Sequence, residues 1–312
     1  MRYVEVDGFR ASAIGLGTWQ FGSREWGYGQ AYADTVAPAI VRRAFELGIT
    51  FVDTAEIYGL GRSERIVGSA LAGRPDDVII ATKLLPLLPL PAITAWRGRA
   101  SRARLGVDAI DLYQLHFPNP LVPPRTTMRG MRRLLEDGVI RRVGVSNHSL
   151  QRWRVAERAL GRPVVSNQVR FSLASPSPRW DLVPYAREHD RVVIAYSPLA
   201  QGLLRGRTDD VARAGGNGAL ARRGNPLSPD GNRRRAGALL AALDDVARTH
   251  DATPAQVALA WVISHGNVIA IPGARTIEQL EENAAAADLE LSPTEHDLLS
   301  QEADRLETAL RV

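Results

Sequence analysis

Asp53 and Tyr58 stand five residues apart in Phe51-Val52-Asp53-Thr54-Ala55-Glu56-Ile57-Tyr58-Gly59, where an apolar run gives way to a loop. Lys83 ends a second apolar run at residues 78–82, and His116 ends a third at 110–115. Each has a bland explanation: Asp53 caps a helix, Tyr58 packs in a turn, Lys83 snorkels, and His116 is a satisfied core histidine. Brought together, the four types suit reduction of a carbonyl group. A phenol with a pKa of about 10 is a poor acid near neutrality and must be tuned. A lysine ammonium ~4 Å away, at an effective dielectric near 20, favours phenolate by up to roughly 4 kcal/mol. The expectation is a phenol lowered by as much as ~3 pH units, less what desolvation takes back. Asp53 would hold Lys83 charged and oriented, and His116 would hydrogen-bond the substrate oxygen beside Tyr58.

Such a cluster needs elements that bring distant strand ends to one rim. Strand-like runs lie near residues 13, 49, 78, 110, 140, 164, 192 and 268, alternating with helix-patterned segments. The helices are expected near 35–47 (stopped by Gly48), from a cap at Ser63, and at 92–105 and 126–137 (stopped by Gly138). Others run from a cap at Ser149 to about 160, and at 179–189, 236–249, 255–264 after Pro254, and 276–286, with a last one opened by Ser292. Eight β-then-α units predict an α/β fold, a closed parallel (β/α)8 TIM barrel whose strand ends converge on one face. A hairpin at 3–6 with a turn at Asp7-Gly8 precedes it, and extra helices follow it. An open doubly wound sheet would want a Gly-rich fingerprint after its first strand, and Gly15-Leu16-Gly17-Thr18-Trp19-Gln20 lacks the third glycine. Residues 1–312 read as a single barrel domain. The stretch 205–235, rich in Arg, Gly, Asn and Asp, reads as a flexible loop within it and a candidate lid.

Composition narrows the chemistry. With no cysteine, disulfides, thiolate metal sites and thiol nucleophiles are excluded, which suits a reducing compartment. Six dispersed histidines lack metal-ligand spacing, and no G-x-S-x-G elbow is present. The formal charge is +5, supplied almost wholly by arginine. Basic residues are scattered without an aromatic-interleaved groove, so a GC-rich coding bias explains them better than nucleic-acid binding. The positive field would still attract a phosphorylated cofactor. The N-terminus has no apolar h-region, residues 84–91 are broken by prolines, and no run reaches the ~18 apolar residues of a span. The expectation is a cytoplasmic protein with a small-molecule partner, no nucleic acid and no membrane; nothing in the sequence specifies an oligomeric state.

At this point the chain resembles an aldo-keto reductase along nearly its whole length. The likeness runs from Gly15-Leu16-Gly17-Thr18-Trp19 through the 53–59 segment, Ser63-Glu64, Thr82-Lys83 and Asp111-Leu112-Tyr113-Gln114-Leu115-His116. It continues with Gly144-Val145-Ser146-Asn147, Asn167-Gln168, Tyr196-Ser197-Pro198-Leu199, Gly202-Leu203-Leu204 and Ile271-Pro272-Gly273-Ala274-Arg275. The resemblance implies a catalytic tetrad of Asp53, Tyr58, Lys83 and His116, with Tyr58 as general acid. It also implies NADPH as cofactor, NADH not excluded, bound without a Rossmann fold. Ser146, Asn147 and Gln168 would hold the carboxamide, with Asp53 beside them, and Tyr196 would stack on the nicotinamide. Gly17, Thr18 and Trp19 would line the same cavity. Ser197, Pro198, Leu199, Gln201, Gly202 and Leu204, with Ile271 and Gly273, match pyrophosphate and adenosine contacts. That agrees with the habit of barrels to bind phosphate by the last two strand loops and a helix N-terminus. Arg275 would clasp a 2′-phosphate, with Gln279, Glu282 and Asn283 near the adenine. Many relatives carry lysine and serine where this chain has Gly273 and Ala274, so NADPH leans on Arg275. Substrate would meet Trp19, Tyr58 and His116. The pocket loops, 20–32, 84–91, 117–125 and 205–235, bring Trp19, Trp26, Tyr28 and Phe117, suiting an apolar or ring-bearing carbonyl. Two other readings compete: an NADPH-sensing regulatory barrel without significant turnover, and a Schiff-base aldolase acting through Lys83.

Overall fold

The structure is a computed structural model describing residues 1–22, 29, 31–205 and 234–311. Strands β1 (Tyr3–Val6) and β2 (Phe9–Ser12) form an antiparallel hairpin. Its turn places Asp7 and Gly8 at φ 47° and 71°, a left-handed pair that glycine eases. Arg142, near the start of the fifth barrel strand, donates to Asp7 O (3.0 Å), and Ser12 N donates to Thr50 Oγ1 (2.9 Å). The hairpin is therefore fastened at the N-terminal end of the barrel, opposite the strand ends that carry Asp53, Lys83 and His116.

Eight parallel strands follow: β3 (Leu16–Gly17), β4 (Phe51–Asp53), β5 (Ile79–Leu84), β6 (Ile110–Leu115), β7 (Ile140–Ser146), β8 (Ser166–Arg170), β9 (Val192–Tyr196) and β10 (Val268–Ala270). Each pairs with the next in chain order. The first strand is shorter than the sequence suggests, yet the ring closes through parallel bridges Ile14↔Ala270 and Gly17↔Gly273. Gly15 N donates to Ala270 O, and Ala270 N to Ala13 O, both at 2.8 Å. Gly17 belongs to this seam because a Cβ there would lie 2.7 Å from Ile271 O. Gln20 Nε2 laces the same seam, donating to Gly17 O (3.1 Å) and Ala274 O (2.8 Å). The strands are buried nearly throughout, as barrel strands between a packed interior and a helical coat must be.

That coat comprises α1 (Trp19–Gly22), α2 (Ala37–Glu46), α3 (Arg62–Ser69), α4 (Pro91–Leu105), α5 (Pro124–Glu136), α6 (Leu150–Leu160) and α7 (Leu182–Glu188). It continues with α8 (Gly237–Thr249), α9 (Pro254–Ile263), α10 (Ile277–Ala285) and α11 (Pro293–Arg311). Proline opens α4, α5 and α9, where its missing N–H costs nothing. Thr253 and Gln256 form a reciprocal capping box on α9. Two helix starts differ from expectation. The segment before α2 winds as a π turn, Tyr32–Val36, and α3 is entered through Gly61 at φ 81° instead of a cap at Ser63. Ser63 lies inside the first turn, its hydroxyl drawn into a buried network with Thr18 and Thr54. Trp26, Tyr28 and residues 206–233 of the expected loop lie outside the described residues. Among the described residues, no helix is long and apolar enough to cross a membrane.

Candidate active site

Asp53 closes β4, Lys83 sits one residue from the end of β5, and His116 follows β6, so register alone sets three functional types side by side. Tyr58 arrives on the loop after β4, where Tyr58 N donates to Ala55 O (3.1 Å) and Gly59 takes φ 60°. A Cβ on Gly59 would lie 2.4 Å from Gly22 O, so this turn is pressed against α1. Lys83 is wholly buried and pairs with Asp53 Oδ2, while donating to Thr54 O (2.9 Å) and Tyr58 Oη (3.2 Å). Three ammonium hydrogens thus find three acceptors. Asp53 Oδ1 accepts from Gln168 Nε2 (2.8 Å) and Gln114 Nε2 (3.2 Å), satisfying the carboxylate inside the barrel.

Burial would pull the Lys83 ammonium down, but Asp53 and then Tyr58 outweigh it and raise its pKa above the ordinary lysine value. Tyr58 shows the opposite balance to the one expected. Burial raises its pKa, the Lys83 charge opposes this, and the net direction is upward. Desolvation of the phenolate wins because Asp53 offsets part of the lysine's attraction. His116 is pushed down to about 3 by burial and by the charge of Lys83, so its imidazole is neutral at ordinary pH. Its ring meets Tyr58 edge-on (5.9 Å between centroids) and stacks flat on Phe117 (4.5 Å, 4°). His116 Nδ1 is buried without a partner among the described residues.

The expected cofactor residues fall into two groups. Ser146, Asn147, Gln168 and Tyr196 form one chain of contacts. Ser146 Oγ donates to Gln168 O (2.8 Å), Asn147 Nδ2 donates to Ser146 Oγ (3.0 Å) and to His116 O (3.2 Å), and Tyr196 Oη donates to Asn147 Oδ1 (3.0 Å). Through Gln168 this shelf is joined to Asp53. Asn147 sits at φ 58°, a left-handed conformation that asparagine tolerates. The second group follows β9 and β10. Ser197, Gln201 and Gly202 have φ of 50°, 56° and 96°, folding the chain sharply around Pro198 and the buried Leu199 and Leu204. Ile271 continues β10, donating to Ala195 O (3.0 Å), and Gly273 is exposed beside Gln20. Arg275 is exposed just before α10, its N–H bonded to Gln279 Oε1 (3.0 Å). Glu282 pairs with Arg205 (3.1 Å), and Asn283 Oδ1 is buried with no partner among the described residues.

Sequence reasoning passed over Gln114 and the Glu56–Arg97 pair. Gln114 shares the Asp53 carboxylate, and its alternation with Leu115 on β6 was the available clue. Thr18, expected only as a lining residue, is wholly buried, its Oγ1 donating to Asp53 O (2.9 Å) and sharing a hydrogen bond with Ser63 Oγ (2.8 Å). Glu56 and Arg97 form an ion pair (2.6 Å), and Arg97 Nη1 also donates to Leu85 O (2.8 Å), pinning the loops after β4 and β5 together. Cavities of about 640 and 360 Å³ lined by Arg179, His265 and His296 lie against α7 and α11, apart from these strand ends. Among the described residues, no three His, Asp or Glu are grouped to hold a metal ion.

A polar rim of this construction on a closed barrel defines the class, and comparison with known proteins agrees. The model of the Aldo/keto reductase family matches residues 13–303. An uncharacterised oxidoreductase of Mycobacterium tuberculosis is 57% identical over 304 residues, covering 97% of this chain and 93% of the relative. Methylglyoxal reductase YeaE of Escherichia coli is 35% identical over 294 residues, covering 93% and 90%. The crystal structure of an aldo/keto reductase from Klebsiella pneumoniae with NADP and acetate matches with a TM-score of 0.75 at 33% identity, covering 96% and 94%. The chain belongs to the aldo/keto reductase family and is an oxidoreductase.

Proposed function

We propose that this protein reduces the carbonyl group of aldehydes or ketones with NADPH, reversibly, and that Tyr58 is its proton donor. The carrying observation is the buried relay in which Asp53 holds Lys83 and Lys83 donates to Tyr58 Oη at 3.2 Å. Because Lys83 occupies a lone pair of the phenol oxygen, the phenolic hydrogen is directed away from it, toward the mouth. Tyr58 passes this proton to the carbonyl oxygen, and the ammonium stabilises the phenolate left behind. The raised pKa of Tyr58 keeps it protonated, which is the state an acid needs. No described group accepts a proton from His116 Nδ1, so we assign the hydrogen to Nε2, from which neutral His116 donates to the same carbonyl oxygen.

NADPH, when bound, supplies the hydride. The residues fit it: Ser146, Asn147 and Gln168 offer the donors and acceptors a carboxamide needs, and Tyr196 a ring face beside them. The unpartnered Asn283 Oδ1 is an acceptor suited to the adenine amine. Arg275 stands at the N-terminus of α10, where cationic and helix-end attraction to a 2′-phosphate add. The aldolase reading fares worse, because it needs a neutral amine and Lys83 is held charged.

Nicotinamide absorbance recorded with a panel of aldehydes and ketones, including a 2-oxoaldehyde, tests the proposal. The expected result is consumption of NADPH in preference to NADH. Tight NADPH binding with no turnover on any member would overturn it in favour of a sensing barrel.

A further inference from the structure

Barrel interiors are filled mainly by branched apolar side chains, layer upon layer. Asp53 on β4, Gln114 on β6 and Gln168 on β8 depart from that rule together, three polar side chains from alternate strands, none more than 3% exposed. Asp53 and Gln168 have roles in the reading above, Asp53 as the anchor of Lys83 and Gln168 in the carboxamide shelf. Gln114 has none, yet the barrel makes room for it. Its partner in register on β7 is Gly144, where a Cβ would lie 2.9 Å from Gln114 Cγ.

The hydrogen bonds fix which way each amide faces. An ionised carboxylate only accepts, so both glutamines turn their nitrogens to Asp53 Oδ1, at 3.2 Å from Gln114 and 2.8 Å from Gln168. Gln114 Oε1 then faces Gln168 Nε2 at 3.5 Å, a long contact in the same sense. The two oxygens of Asp53 are thereby divided: Oδ2 meets Lys83, and Oδ1 meets the two amides. The division matters when the proton leaves Tyr58. The phenolate draws the Lys83 ammonium, Asp53 keeps less of that cation, and the donors on Oδ1 hold more of the carboxylate's charge. An interaction that strengthens as this charge develops lowers the barrier instead of merely stabilising the bound state.

We propose that Gln114 is a positioning residue for proton transfer: its donation to Asp53 Oδ1 fixes the carboxylate that holds Lys83 against Tyr58, and supports its charge as the phenolate forms. The inference rests on the reductase reading above and adds to it a residue that acts through Asp53. Two substitutions of nearly the same size separate this role from packing. Gln114→Met keeps the volume and removes the donor. Gln114→Glu keeps a donor only while its carboxyl is protonated, a state that the adjacent Asp53 charge extends above the ordinary carboxylate range. Protonated, that carboxyl donates to Asp53 and accepts from Gln168; ionised, it sets a second anion beside Asp53 and donates nothing.

Steady-state NADPH oxidation with one carbonyl substrate, followed from pH 5 to 9 for the wild type and both variants, tests it. Gln114→Met should lose about tenfold in kcat and kcat/KM alike at every pH, the rate equivalent of one charge-assisted hydrogen bond, with the carbonyl KM unchanged. Gln114→Glu should run close to the wild type at pH 5 and fall toward the methionine variant as the pH rises, a limb the wild type lacks. A methionine variant with wild-type kcat overturns the assignment and leaves the reductase reading standing. A glutamate variant whose profile runs parallel to the wild type's overturns it too, since Gln114 then only packs. Should the methionine variant fail to show a cooperative urea transition, the glutamate profile decides alone. A wild type that oxidises NADPH with no carbonyl compound removes both readings together.

Discussion

Lys83 is the single lysine among 39 Lys and Arg residues, and its surroundings explain why arginine has not taken its place. A tetrahedral ammonium meets Asp53, Thr54 O and Tyr58 Oη at once inside a fully buried pocket, where a longer planar guanidinium has neither room nor matching directions. The arginine-rich chain thus keeps its single lysine at the buried relay of Asp53 and Tyr58. The four residue types and their convergence were legible in the sequence. The net direction of the Tyr58 shift was not, because pairwise attraction to Lys83 can be written from residue identity whereas burial depends on everything packed around the ring. The sign has a consequence for pH. On the proposed reading, reduction needs Tyr58 protonated, and burial holds its pKa above the ordinary phenol value. Reduction should therefore hold a plateau through neutrality and fall only on the alkaline side, while alcohol oxidation rises with pH toward the same limit. His116, at about 3, contributes no limb between pH 5 and 8. Initial rates in both directions from pH 5 to 10.5 check this; a break in reduction near pH 6–7 would contradict it.

At the scale of elements, the site depends on loops being held as firmly as strands. The Glu56–Arg97 pair is mostly buried, and it spans the loop that carries Tyr58 and the one that follows Lys83. Burial already raises the Glu56 pKa, against the pull of Leu85 N and Arg97, so removing the cation strands a desolvated carboxylate. Arg97→Ala should lower stability by about 2–4 kcal/mol in urea unfolding. It should also lower kcat by roughly tenfold, because small misplacements of Tyr58 against Lys83 cost rate steeply. Unchanged kcat would show that the clamp does not position Tyr58. Helix starts were legible where local chemistry decides them, as at Pro254 and the Ser149 cap. They were not legible at Ser63, whose hydroxyl is claimed by Thr18 and Thr54 from elsewhere in the chain. The clamp was missed for the same reason: its partners are 41 residues apart.

For the whole molecule, counting strand-then-helix units was enough to give the ring, because eight such units leave few other closures. What the count could not give was the seam, where β3 is only two residues long and closure falls to isolated bridges and Gln20. The ring is nonetheless what makes one site from residues 53, 58, 83 and 116, and joins it through Gln168 to the shelf around Asn147 and Tyr196. The central claim, that this convergence delivers a proton from Tyr58, is tested most directly by Tyr58→Phe, which keeps the ring and removes only the hydroxyl. Assayed on the best carbonyl substrate, the variant should lose about 10²–10⁴ in kcat/KM while NADPH affinity, read by protein fluorescence, changes little. Turnover equal to that of the wild type would contradict the account.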